Sequence, residues 1–101
     1  MIWETEKKVR LTVKGEDLNI VFRIPNAMEV EDVLEMARSK DKYTDPNVFK
    51  MFVTHVDGFD NAEQFVKTPG TSKIIKLISE KILESSSVDV TLKNESSSST
   101  V

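Results

Sequence analysis

The sequence contains no cysteine and a single histidine among its 101 residues. Without thiols it can form no disulfide, no thiolate nucleophile and no cysteine-containing zinc site. Histidine is the side chain that titrates nearest neutrality, so acid–base catalysis would depend on His55 alone. An enzyme is therefore the class that we expect least, and we expect neither a cofactor nor a metal.

A large charge of one sign and long hydrophobic runs are also missing. Fourteen basic and seventeen acidic side chains leave a net charge of −3. This balance argues against nucleic acid as a partner. No segment approaches the ~20 consecutive apolar residues of a membrane helix, and the first residues do not resemble a signal peptide. We expect a cytoplasmic protein with no membrane partner.

The length fits one domain. The pattern of apolar residues predicts an α+β fold, in which an N-terminal β-hairpin packs on three to four α-helices. We assign residues 1–93 to this single domain. Residues 94–101 are polar and rich in serine, cannot bury enough apolar surface to fold, and are predicted to form a disordered tail.

Apolar residues at every second position along 7–13 and 18–24 predict the two strands of the hairpin. Gly15 is predicted to be the first central residue of a type II′ turn. The register that follows pairs Val13 with Leu18, Leu11 with Ile20 and Val9 with Phe22. All three pairs then lie on one face of the hairpin.

Helix signals follow the hairpin. Asn26 and Glu29 have the spacing of a capping box. The apolar stripe predicted for the helix that follows consists of Val30, Val33, Leu34 and Ala37.

The remaining segments are assigned from their caps and spacing. Asp45-Pro46 predicts the start of a second helix over 47–56, for which a strand is the alternative. A short helix is expected over 61–67, and a longer one from Thr71 or Ser72 to Glu84. Residues 88–93 alternate again and fit a short edge strand.

Two groups of polar residues are candidates for a catalytic or metal site. On the predicted helix, Thr54 and Asp57 would not face His55, so we interpret His55 as a partly exposed helical side chain. Asp57, Asp60 and Glu63 do not form a calcium loop, because Phe59 and Thr68 occupy two of the positions that supply ligands in an EF-hand.

The candidate protein-binding residues are methionines and aromatics, which are common at adaptable interfaces as well as in ordinary cores. They are Trp3, Met28, Met36, Met51 and Phe52. Trp3 precedes the first strand, where little chain is available to cover it.

The basic residues around the hairpin form the alternative candidate surface. They are Lys7, Lys8, Arg10, Lys14 and Arg23. No exposed aromatic residue interleaves them as a base-stacking surface would require, so a solvated sheet face is favoured over a nucleic-acid site.

The order of these parts resembles a family. A charged hairpin leads through Pro25 into a Glu-rich helix. A second helix then runs to the turn at 56–61, a break at 68–71 precedes the last helix, and a polar end follows Lys93. In this layout the chain is similar to the small tail assembly chaperones of long-tailed bacteriophages.

The resemblance implies a non-enzymatic role in the cytoplasm of a bacterial host. Members of the family coat the tape-measure protein before the tail tube polymerises, and they contact tail-tube subunits. Many also exist as a longer product of a −1 ribosomal frameshift, and this chain would correspond to the short form. Assembly of several copies is compatible with this role, and no functional residue is carried over from the family.

Two other functions are kept as alternatives. Hairpin, helix and a late strand at 88–92 also fit a β-grasp-like adaptor module, which here would lack the terminal Gly-Gly needed for conjugation. A small DNA-binding regulator would use the basic face of the hairpin, and its binding would depend strongly on salt.

Overall fold

In a computed structural model, which describes residues 2–39 and 43–87, the chain has an α+β fold as predicted. Its elements in chain order are β1 (Glu6–Val13), β2 (Glu16–Arg23), α1 (Ala27–Ser39), α2 (Asp45–Phe52), β3 (Val53–Val56), α3 (Ala62–Val66) and α4 (Ser72–Ser85). The three strands form one antiparallel sheet in the order β1-β2-β3, so β2 is the central strand.

The hairpin is confirmed, but its predicted register is wrong by two residues. The observed ladder pairs Leu11 with Leu18 and Val9 with Ile20. Lys14 and Gly15 are the central residues of the turn, with φ of 54° and 81°. Positive φ at both positions is the requirement of a type I′ turn, whose twist matches that of the strands. Because the shift is two residues, the apolar side chains keep their common face.

The helix predicted over 47–56 is wrong beyond Phe52. Val53–Val56 forms β3, which pairs antiparallel with β2 through Phe22 and Val53 and through Ile20 and Val56. Both valines are buried. The spacing of apolar residues fits a helix as well as a strand here, and the contact with β2 decides between them.

The caps explain where the helices begin. The Asn26–Glu29 capping box is confirmed: the Glu29 N–H donates to Asn26 Oδ1 at 2.9 Å, and the Asn26 N–H donates to Glu29 Oε1 at 3.0 Å. Thr44, one residue before the predicted cap Asp45, caps α2 by accepting from the Asn47 N–H at 3.2 Å. Asn61, where the sequence predicts the short helix to begin, caps α3 by accepting from the Gln64 N–H at 2.8 Å.

The core lies between the inner face of the sheet and the helices. Phe65 of α3 stacks on Phe49 with ring centroids 5.4 Å apart and meets Phe59 edge to face at 4.9 Å. The buried apolar side chains are Ile20, Phe22, Val33, Val48, Phe49, Phe52, Val53, Val56, Phe65, Ile75, Ile78 and Ile82.

Helix α1 contributes little to this core. Val33 is its buried side chain, whereas Leu34 and Ala37, which the sequence placed on the buried stripe, are exposed. The prediction of a four-residue core stripe on α1 is therefore wrong. Its narrow contact leaves apolar surface of α1 in solvent.

Two predictions fall outside the described residues: the edge strand at 88–93 and the disordered tail at 94–101. Within the described ranges, no helix combines the length and the apolar character that crossing a membrane requires.

The type I′ turn generates a prediction at Lys14. Asparagine tolerates positive φ better than lysine, so Lys14→Asn should raise the free energy of unfolding by about 0.5 kcal/mol. Gly15→Ala, at φ 81°, should lower it by about 1 kcal/mol. Urea unfolding of both variants tests the turn, and a destabilising Lys14→Asn would contradict it.

A second prediction concerns Ser79, which is buried in α4. Its hydroxyl makes no hydrogen bond within the described residues. Removing a buried hydroxyl without a partner relieves its desolvation penalty, so Ser79→Ala should stabilise the protein by about 1 kcal/mol in thermal or urea unfolding. A loss of stability would show that the hydroxyl has a partner in solution.

Candidate protein-contact surface

The open end of the hairpin exposes large apolar side chains. Trp3 is 66% exposed, Met28 is 78% exposed, and Ile2 is almost fully exposed. The Ile24 N–H donates to the Thr5 carbonyl at 2.9 Å, which extends the pairing of the two strands past β1. Ile2 and Trp3 precede β1 in the chain, and Met28 lies in the first turn of α1. We call Ile2, Trp3 and Met28 the end patch.

An ion pair fixes the start of α1 against the end of β2. Arg23 Nη1 and Nη2 donate to Glu29 Oε1 and Oε2, each at 2.7 Å. This bidentate geometry is the strongest form of an arginine–carboxylate contact. Glu29 also accepts from the Asn26 N–H in the capping box. One carboxylate therefore joins the helix cap to the strand and sets where Met28 lies.

The pKa values of the pair reflect these contacts. The hydrogen bonds from Arg23, and then that from the Asn26 backbone, lower the pKa of Glu29 from 4.5 to about 2. The same contact with Glu29 raises the pKa of the Arg23 guanidinium above its ordinary value. Both groups are therefore charged throughout the neutral range.

The predicted contact residue Phe52 is not at the surface. It is 1% exposed, and the Arg23 guanidinium lies over its ring at 5.1 Å from the centroid. Phe52 is the last residue of α2 and turns into the core because β3 follows it directly. It is therefore not available to a partner, which corrects its assignment as a surface residue.

The two other methionines lie on different helices. Met36 is half-buried and lines a shallow groove along α1 with Asp32 and Glu35. Met51 is exposed on α2. The five predicted residues thus lie on the N-terminal segment, α1 and α2, and the structure does not gather them into one site.

A chain of hydrogen bonds crosses the outward face of the sheet. Arg10 Nε donates to Asn19 Oδ1 at 3.3 Å, and Asn19 Nδ2 donates to Asp57 Oδ2 at 2.9 Å. The other oxygen of Asp57, Oδ1, lies 2.9 Å from His55 Nε2. The chain joins β1, β2 and the turn after β3.

The contact between His55 and Asp57 was missed in the sequence because residues 53–56 were assigned to a helix. On an extended segment, residues two apart lie on the same side. The hydrogen bond from His55, followed by those from the Asn19 side chain and backbone, lowers the pKa of Asp57. The neighbouring hydroxyl of Thr54 donates to the Val21 carbonyl at 3.3 Å. Through Asn19, the pair ties the turn after β3 to β2.

The outward face is a weak candidate for phosphate binding. Lys8 and Arg10 are exposed on it, but Arg10 is bonded to Asn19, and Asp17 and Asp57 contribute opposite charge. No group of three or more histidine or carboxylate side chains in residues 2–39 and 43–87 is arranged to hold a metal ion.

Comparisons with known proteins do not assign the chain to a family. No protein-family model, no curated protein and no solved structure matches the chain.

The ion pair generates a prediction for pH dependence. Glu29→Gln keeps the shape and the cap acceptor but removes the charge, and should cost about 1–2 kcal/mol of unfolding free energy at pH 7. The pKa of Glu29 in the folded protein is lowered to about 2. The wild type should therefore exceed Glu29→Gln in unfolding free energy by the full amount above about pH 4.5, and this excess should disappear as the pH falls toward 2. Urea unfolding as a function of pH measures it.

Glu31→Gln is the matched control, since Glu31 is an exposed carboxylate on the same helix without an ion pair in the described residues. Its effect should stay within about 0.5 kcal/mol at every pH. A Glu29→Gln variant that behaves like this control would contradict a stabilising role for the pair.

Proposed function

We propose that the protein is a non-enzymatic binding protein, a phage tail assembly chaperone that holds the tape-measure protein and contacts tail-tube subunits during tail assembly. The observation that supports this proposal is the end patch of Ile2, Trp3 and Met28, whose apolar side chains are mostly exposed. Exposed apolar side chains are frequent at interaction sites, and Ile2 and Trp3 are neighbours in the sequence.

The composition of the patch suits a helical partner. Tryptophan is frequent among the residues that dominate binding energy, and methionine adapts its shape to different apolar surfaces. The partner proposed here is a long helical protein whose apolar face is exposed before assembly. Covering such a face requires apolar contact in a soluble frame and no catalytic group.

Co-expression with a segment of the tape-measure protein from the same genome, followed by calorimetry on the purified partners, tests the proposal. We expect a soluble complex. Trp3→Ala and Met28→Ala should each weaken it about tenfold or more, as truncation of a central contact does. Both residues are exposed, so the variants should fold.

Leu77→Ala is the matched control, because Leu77 is a 38% exposed apolar residue on α4 outside the patch. Its affinity should stay within about twofold of the wild type. Failure of the wild-type protein to associate with any tape-measure segment would overturn the proposed function. Equal losses for Leu77→Ala and Trp3→Ala would overturn the role of the end patch.

A further inference from the structure

Strand β1 lies at one edge of the sheet, and among the described residues β2 is its one neighbour. In an antiparallel ladder, every second pair of residues exchanges hydrogen bonds. The Ile24 N–H donates to the Thr5 carbonyl at 2.9 Å, so the odd-numbered residues of β1 form the bonded pairs. The N–H groups that point away from β2, which we call the edge amides, are those of Lys8, Arg10 and Thr12. An edge strand of eight residues is a template for another strand.

The apolar side of β1 is incompletely covered. Val9, Leu11 and Val13 lie on the same side of the sheet as the buried Ile20 of β2, but they are only half-buried. Side chains of an added strand would lie beside them, because paired residues of neighbouring strands share a face. The outer edge of β1 therefore suits a strand in which every second residue is apolar.

Helix α4 ends next to the start of β1. Its last turn lines a groove together with residues of β1 and β2, and the groove is formed by Lys7, Val9, Phe22, Lys81, Glu84 and Ser85. From Ser85 to Val88 the chain can span at most about 11 Å. A strand added to β1 would lie about 4.8 Å from it. The two intervening residues are thus long enough to carry the chain from α4 to the outer edge of β1.

The segment that follows has the required pattern. Residues 88–92 read Val-Asp-Val-Thr-Leu, so apolar and polar side chains alternate. With its apolar residues on the core side of the sheet, this segment would carry Asp89 on the outward side, where Lys8 and Arg10 lie. Neither cation forms an ion pair with a described residue. The charge of the segment therefore complements that of the edge.

We propose that residues 88–92 dock on the outer edge of β1 as a fourth strand, parallel to β1. The inference does not depend on the proposed function, and it assigns the edge strand expected at 88–93 to a particular edge of the sheet. Helix α4 delivers the segment near Lys7. Five extended residues cover about 16 Å. Only toward Val13 does β1 extend far enough to pair with all of them, because in the other direction it ends at Glu6.

A second copy of the chain suits this edge less well. Antiparallel self-pairing through the middle of β1 would set the cations Lys8 and Arg10 of the two copies opposite one another. Like charges directly opposite are destabilising, whereas residues 88–92 bring a carboxylate to the same place. Docking of the segment would also cover an edge that otherwise invites aggregation.

Amide hydrogen exchange in the full chain, followed by NMR, tests the proposal. At least two of the three edge amides should exchange about tenfold or more slowly in the wild type than in Val90→Glu, which puts a charge on the core side of the segment. Val101→Glu is the matched control, because it makes the same change outside the segment. It should leave exchange of the edge amides within about twofold of the wild type.

Charge reversal tests the role of Asp89. Asp89→Lys would place a cation beside Lys8 and Arg10, and it should speed exchange of the edge amides about fivefold. Glu95→Lys makes the same reversal beyond the segment and should change this exchange by less than about twofold.

Nuclear Overhauser contacts test the direction of the strand. They should connect Val88 with the Lys7 end of β1 and Leu92 with the Val13 end, and the reverse order would overturn parallel docking. Edge amides that exchange as fast in the wild type as in Val90→Glu would overturn the proposal. Slow exchange that appears only when the protein sediments as a dimer would overturn it as well, because a second copy would then cover the edge.

Discussion

The pairing of β3 with β2 is the constraint on which the rest of the structure depends. A two-stranded hairpin is marginal in water by itself, and here the third strand turns it into a sheet with a buried central strand. Phe22 and Ile20 of β2 are buried opposite Val53 and Val56 of β3. Because β3 begins at the residue after α2 ends, the pairing also places that helix against the sheet.

The same pairing determines which surfaces are polar and which are apolar. It brings Asp57 beside Asn19 and His55, so the outward face of the sheet is crossed by a chain of hydrogen bonds. It directs Phe52 into the core beneath Arg23, which in turn holds Glu29 at the start of α1. Helix α1 is thus attached through its first turn and through Val33, while Leu34 and Ala37 face solvent and Val30 and Met36 are half-buried. The surface available to a partner is a consequence of how little of α1 the core requires.

Local signals in the sequence were sufficient for much of this fold. The capping box at Asn26 and Glu29, the cap at Asn61 and the strand alternation each depend on residues close in the chain, and the corresponding elements are present. The turn register was missed because lysine rarely adopts positive φ, so Gly15 alone looked suited to a turn position. Residues 53–56 were missed because their spacing fits two structures, and the choice depends on Ile20 and Phe22, more than thirty residues earlier in the chain.

The candidate surface was predictable to a smaller extent. The exposure of Trp3 and Met28 follows from their positions at the edges of elements, where little chain can cover them. The burial of Phe52 was not predictable from α2 alone, because it depends on the strand that follows and on Arg23. The proximity of His55 and Asp57 was not predicted because residues 53–56 were assigned to a helix. Residues two apart lie on the same side of an extended backbone but not of a helix. The exposure of Leu34 and Ala37 was not predictable from their helical spacing, because that spacing equally fits residues that face the core.

The central claim is that the apolar side chains left exposed at the open end of the hairpin and on α1 form a surface for proteins. Mapping of NMR chemical shifts on the full chain, with and without a bound tape-measure segment, tests it most directly. The account predicts the largest changes at the Trp3 indole N–H and at the methyl group of Met28, with little change at His55 and Arg10. Changes concentrated on the outward face of the sheet at His55 and Arg10, with Trp3 and Met28 unaffected, would contradict it.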